Sequence, residues 1–195
     1  MLTVLAAIVT AVTALVGYWL TYRNNLRLAQ RAERLDRINR QLRELYGPML
    51  AIASVGHRIF QEYRRSIATR HERPEPLDIN PEFRAWMKGV FMPNNERLYE
   101  LLLTKADLLI DDKIPDCLLQ LGAHIGAFKA IAQRWEENDY EVKIPPIPFP
   151  RDLLAYANDR FYRLRREQKS LMKALGQLPE ELPASAIEYL DQTGG

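Results

Sequence analysis

The first 22 residues, MLTVLAAIVTAVTALVGYWLTY, contain no Asp, Glu, Lys, Arg, His or Pro. As a helix rising about 1.5 Å per residue, the run spans roughly 33 Å, enough to cross a hydrocarbon core of about 30 Å. Its aromatic residues gather at one end. Tyr18, Trp19 and Tyr22 match rings anchored at headgroup level, and Arg23 follows where lipid would give way to water. A cleaved signal peptide carries its positive charge before the apolar stretch and a small-x-small site after it. Here the charge lies after the run and bulky aromatics occupy the exit, so the sequence predicts an uncleaved anchor.

Residues 23 to 43 hold seven arginines (23, 27, 31, 34, 37, 40 and 43) against Glu33 and Asp36. By the positive-inside rule this predicts an inner-membrane, single-pass protein with its N-terminus outside and its C-terminal domain cytoplasmic. Arg23, Arg27 and Arg31 stand near enough to the span to meet anionic lipid, whereas the later arginines read as a solvated helix face. Within the run, Ala7 with Ala11 and Thr13 with Gly17 stand four apart, a spacing that lets two spans approach closely.

Between residues 23 and 46 there is no Gly or Pro, so the anchor is expected to continue as a basic helical stalk until Gly47-Pro48. On a heptad, Leu28, Leu35, Leu42 and Met49 fall at one seam position and Arg31, Ile38, Leu45 and Ile52 at the other. This seam has two readings: packing against the chain's own later helices, or self-association through Leu28, Leu35, Ile38, Leu42 and Leu45.

From residue 47 to 176 the pattern predicts an all-α bundle of proline-punctuated helices, with no run of alternating β-branched residues. The expected helices are PMLAIASVGHRIFQEYRRSIATR, a short one from Pro81 through Phe91, one restarting at Pro93, one over PDCLLQLGAHIGAFKAIAQRWEEN, and one from Arg151 to about Leu175. In the fourth, Leu118, Leu121, Ile125, Phe128, Ile131 and Trp135 form the apolar face. Gly122 and Gly126 there predict close approach of a neighbouring helix, offsetting about 1 kcal/mol each in helix propensity. HERPEPLDINP reads as a loop and DYEVKIPPIPFP as an extended connector. Residues 177–195 read as a mobile acidic tail.

Net charge is +2 and the pI about 8.7, so nucleic-acid binding by bulk charge is disfavoured, and no aromatic platform accompanies the arginines. The single cysteine, Cys117, excludes an intramolecular disulfide and reads as a small buried residue. No HExxH, Walker-type loop, GxGxxG or GxSxG occurs, and His57, His71 and His124 lie far apart. Asp107, Asp111, Asp112 and Asp116 form the densest acidic cluster, read as helix-end and capping residues rather than a cation site. No catalytic residue, cofactor or metal is assigned.

The stretches GVFMPNNERLYELLL, PDCLLQLGAHIGAFKAIAQRWE and PPIPFPRDLL resemble uncharacterised bacterial proteins that join one N-terminal span to an all-α cytoplasmic domain. That resemblance carries no activity. The functional expectation is self-assembly or binding of an unknown cytoplasmic protein at the bilayer's inner face. The alternative is a membrane effector or pore-forming component of a bacterial defence or toxicity system, with Thr3, Thr10, Thr13 and Thr21 as a thin polar stripe.

Overall fold

The computed structural model describes the backbone of residues 2–70, 81–140 and 147–177, with side chains from residue 9 onward except at 69 and 70. The loop expected over HERPEPLDINP lies outside the described residues but for Pro81, as do the middle of the 139–150 connector and the tail beyond Gln177. Among the described residues all regular structure is helical: α1 (Leu2–Gln41), α2 (Gly47–Arg70), α3 (Pro81–Trp86), α4 (Met92–Lys105), α5 (Asp116–Glu136) and α6 (Leu153–Ala174). Also among them, no helix is long and apolar enough to cross a membrane. The side chains described before Arg23 begin at Val9, and a helix from Val9 to Tyr22 covers only about 21 Å.

Contacts divide the chain into two compact units, Met1–Asn39 with Arg165–Gly195, and Arg40–Leu164. The core of the second unit includes Leu45, Tyr46, Met49, Leu118, Leu121, Ile125, Pro150 and Leu153, all fully buried. Every residue expected on the apolar face of α5 is buried. At its far end, Tyr63 sits among Phe83, Trp86 and Phe91, with ring centroids 5.4 to 6.3 Å away. The Tyr63 hydroxyl is buried without a partner among the described residues, and burial pushes its pKa up.

The helix breaks expected at Gly47-Pro48 and before Pro93 are not there. At both places the helix passes through a π-helical turn, Leu42–Tyr46 and Met87–Phe91, and the proline follows two residues later. Proline has no N–H to donate, and its ring crowds the carbonyl four residues back. A wider turn absorbs that mismatch by shifting the hydrogen bond one residue further: Gly47 N–H reaches the Leu42 carbonyl, and Met92 N–H that of Met87. The helical path therefore runs unbroken from Leu2 to Arg70, and α3 runs on into α4. Gly47 is required sterically, since a Cβ there would stand 2.5 Å from the Leu42 carbonyl oxygen.

The two glycines of α5 differ. A Cβ at Gly122 would meet the Tyr99 ring at 3.0 Å, the close approach expected of it. At Gly126 no described residue comes within 4 Å of a Cβ, so no described helix makes the close approach expected there. Gly126→Ala is therefore expected to stabilise the fold by about 1 kcal/mol through helix propensity alone. Gly47→Ala is expected to destabilise it by roughly 2 kcal/mol, as overpacking against a fixed carbonyl does. Urea denaturation of the detergent-solubilised chain, followed by circular dichroism, measures both.

Candidate functional site

Between Val9 and Tyr22 every described side chain of α1 is exposed, including Val9, Val12, Leu15, Val16, Trp19 and Leu20. An amphipathic helix hides one stripe, but this one is apolar all round and hides none. Exposed apolar surface on this scale marks a site that something else covers. The hydroxyls of Thr13 and Thr21 donate back to the carbonyls of Val9 and Gly17, each at 2.9 Å, so neither requires a water partner.

The aromatic residues expected at the interface cluster as a unit. Tyr18 and Tyr22 stack one turn apart with centroids 6.5 Å apart, and the Arg23 guanidinium lies 4.6 Å from the centre of the Trp19 ring. Arg27 and Arg31 follow on the same helix, both exposed. Tyr18, Trp19, Tyr22, Arg23, Arg27 and Arg31 thus form a continuous band where apolar surface meets charge.

Of the seam residues, Leu35, Ile38, Leu42 and Leu45 are buried within the single chain. In the first unit, Arg34 pairs with Glu167, and Gln168 donates to the Asn39 side-chain oxygen at 2.6 Å, tying α1 to the last turns of α6. In the second unit, Gln41 donates to the Leu108 carbonyl at 3.0 Å and Glu44 pairs with Lys105 at 2.9 Å. That ammonium holds the Glu44 carboxyl below its ordinary pKa. The heptad from Leu35 onward is therefore packed within the chain itself. Leu28 remains open, 38% exposed, beside Leu26.

The acidic cluster is dispersed. The helix that would place Asp107 and Asp111 on one face ends at Lys105, giving way to a 3₁₀ turn, Ala106–Leu108. Asp111 instead receives Arg160 at 2.6 Å and the Tyr156 hydroxyl at 2.8 Å. With the Tyr156 proton committed to Asp111, the Tyr46 hydroxyl donates to Tyr156 across 3.4 Å while accepting the Ile110 N–H at 3.1 Å. Burial raises the pKa of both phenols, and the Asp111 hydrogen bond raises that of Arg160. This is a structural clamp on the loop after α4, and sequence spacing gave no signal of it because Asp111 and Arg160 lie 49 residues apart. Among the described residues no three His, Cys, Asp or Glu gather as a metal site. Cys117 is half-buried, and burial raises its thiol pKa.

His57 is on the surface beside Gln61, whereas His124 is buried. The Ile147 carbonyl, 2.6 Å from His124 Nδ1, can only accept, so Nδ1 carries the proton and Nε2 accepts from Asn95 Nδ2 at 3.2 Å. Phe149 meets the ring edge-on, and Gln120 donates to the Pro148 carbonyl at 3.2 Å. The described end of the proline-rich connector therefore lies across α5. An apolar groove of about 340 Å³ opens between α4 and α5, lined by Tyr99, Leu102, Leu103, Ile114 and Leu119, with the last three exposed.

Asp111→Ala removes the acceptor of two half-buried donors and is expected to cost about 2 kcal/mol in chemical denaturation. His124 generates a pH prediction. Burial lowers its pKa, so the unfolded chain binds its proton more readily. The contribution is full above the unfolded pKa of about 6.5 and is lost as pH falls from there through the folded pKa. Denaturation midpoints at pH 7.5 and 5.5 are expected to differ less in His124→Gln than in the parent chain. Compared with protein-family models, curated proteins and solved structures, the chain has no match, and the resemblance to single-span bacterial proteins gains no support from them.

Proposed function

We propose that this chain is a single-span, membrane-anchored helical protein that acts by self-assembly or protein binding at the cytoplasmic face of the bilayer. One observation carries the reading: a helix exposed and apolar on every face up to Tyr22 turns strongly basic from Arg23 onward. Including the backbone from Leu2, helix α1 supplies a 21-residue uncharged stretch of about 31 Å before Arg23, close to the hydrocarbon thickness. The arginines then set the orientation, with the body on their side.

Burial of the later seam supports placing self-association in the membrane-proximal part of α1. Leu26 and Leu28 are exposed there, and at Gly17 nothing among the described residues lies within 4 Å of a Cβ. Two spans can approach closely at such a glycine. Protein binding draws support from the exposed Leu103, Ile114 and Leu119 of the α4–α5 groove. The pore-forming alternative draws little, because Thr13 and Thr21 spend their hydroxyl protons on their own helix.

The full chain, expressed in bacteria, is expected in the membrane pellet after alkaline carbonate extraction. The double substitution Val12→Arg and Val16→Arg is expected to move most of it to the supernatant. In detergent, sedimentation is expected to show a species larger than one chain that shrinks with Gly17→Leu, or a co-purifying protein. A carbonate-extractable parent chain would overturn the anchor, and a bare monomer the assembly.

A further inference from the structure

We propose that the last turn of α6 shares the headgroup-contacting surface of α1, so that Arg23, Arg27, Arg31 and Lys173 form a two-helix basic collar for anionic lipid headgroups. The proposal rests on the membrane-span reading given above.

The charge distribution is the first support. The described residues of the first unit carry nine Lys and Arg (23, 27, 31, 34, 37, 165, 166, 169 and 173) against Glu33, Asp36 and Glu167. That is a net +6, in a chain whose total is +2. Arg23, Arg27, Arg31 and Lys173 are all exposed. An excess of positive charge among these described residues suits an anionic surface.

Direction is the second. Leu171, Met172 and Leu175 of α6 are half-buried, and the other described helix of this unit is α1 as far as Asn39. Because α6 passes Tyr46 at Tyr156 before it reaches Asn39 at Gln168, it runs antiparallel to α1, and residues 165 onward head toward the arginines past the Arg34–Glu167 contact. From those contacts Lys173 comes level with the stretch between Leu28 and Arg34. At about 1.5 Å per residue, it stands roughly 9 to 18 Å below Tyr22.

Distance then decides which cations belong. The Debye length is about 8 Å at physiological ionic strength, so a lysine ammonium reaching up from the near end of that range feels the headgroup charge. Arg166 lies about two turns further down, roughly 10 Å more, and is screened out. The helix also stops where it must. The Gln177 N–H bonds to the Met172 carbonyl at 2.9 Å and the Gly176 N–H to that of Lys173 at 3.1 Å, with Gly176 at φ +69°. This left-handed glycine closure ends α6 short of the level of Tyr22.

The test uses the full chain in nanodiscs at 0.15 M salt, with spin-labelled phosphatidylglycerol and phosphatidylcholine as probes of lipid association. The parent chain is expected to prefer phosphatidylglycerol several-fold. Lys173→Glu should lower that preference about fivefold, and Lys173→Gln less in the same direction. Arg166→Glu, the same reversal two turns away, should leave it nearly unchanged, with thermal melts confirming that all variants fold. An unchanged preference in Lys173→Glu, or an equal fall in Arg166→Glu, would remove the collar while leaving the span intact. Failure of the parent chain to enter nanodiscs would overturn the span and the collar together.

Discussion

Water is a poor solvent for every face of α1 between Val9 and Tyr22, and the rest of the arrangement follows from how that surface is covered. A helix satisfies its backbone internally, and Thr13 and Thr21 add no outstanding hydrogen-bond demand. A medium that itself needs no hydrogen bonds can therefore cover all sides at once. A protein partner would ordinarily cover one stripe and leave the opposite face wet. In the proposed reading, the step in polarity at Tyr22-Arg23 marks where that medium ends; there Tyr18 stacks on Tyr22 and the Arg23 guanidinium lies over the Trp19 ring.

Below that boundary the same helix changes role without interruption. Its apolar positions contract to one stripe, Leu35, Ile38, Leu42 and Leu45, which the chain buries itself. The π turn at Leu42–Tyr46 lets Pro48 follow without ending the helix, so that α2 extends from α1. Tyr46, fully buried within that turn, anchors the loop after α4 through Ile110 and, via Tyr156, the Asp111–Arg160 pair. One local distortion thus serves both the continuity of the long helix and the placement of its most connected side chain.

The helical class and the face of α5 were legible because a 3.6-residue period survives any choice of neighbours. The fate of the prolines was not. Gly47-Pro48 and Met92-Pro93 carry the ordinary signature of a break, and only the backbone shows that a one-residue-wider turn accommodates each. The stalk seam was legible as apolar but not as occupied, since a heptad looks the same whether its partner is a second copy or a distant part of the same chain. Gly122 and Gly126 have the same spacing signal and opposite surroundings, a difference set by where Tyr99 lies. The Asp111 clamp, formed between distant positions, had no local pattern at all.

The central claim is that α1 crosses a bilayer with the helical body on the arginine side. In a Cys117→Ser background, a single cysteine at the exposed Asn158 of α6 reports the side directly through a membrane-impermeant maleimide. Labelling in inverted inner-membrane vesicles, and none in intact spheroplasts until detergent is added, is the predicted result. Labelling in intact spheroplasts, or recovery of the unlabelled chain in the soluble fraction, would contradict it.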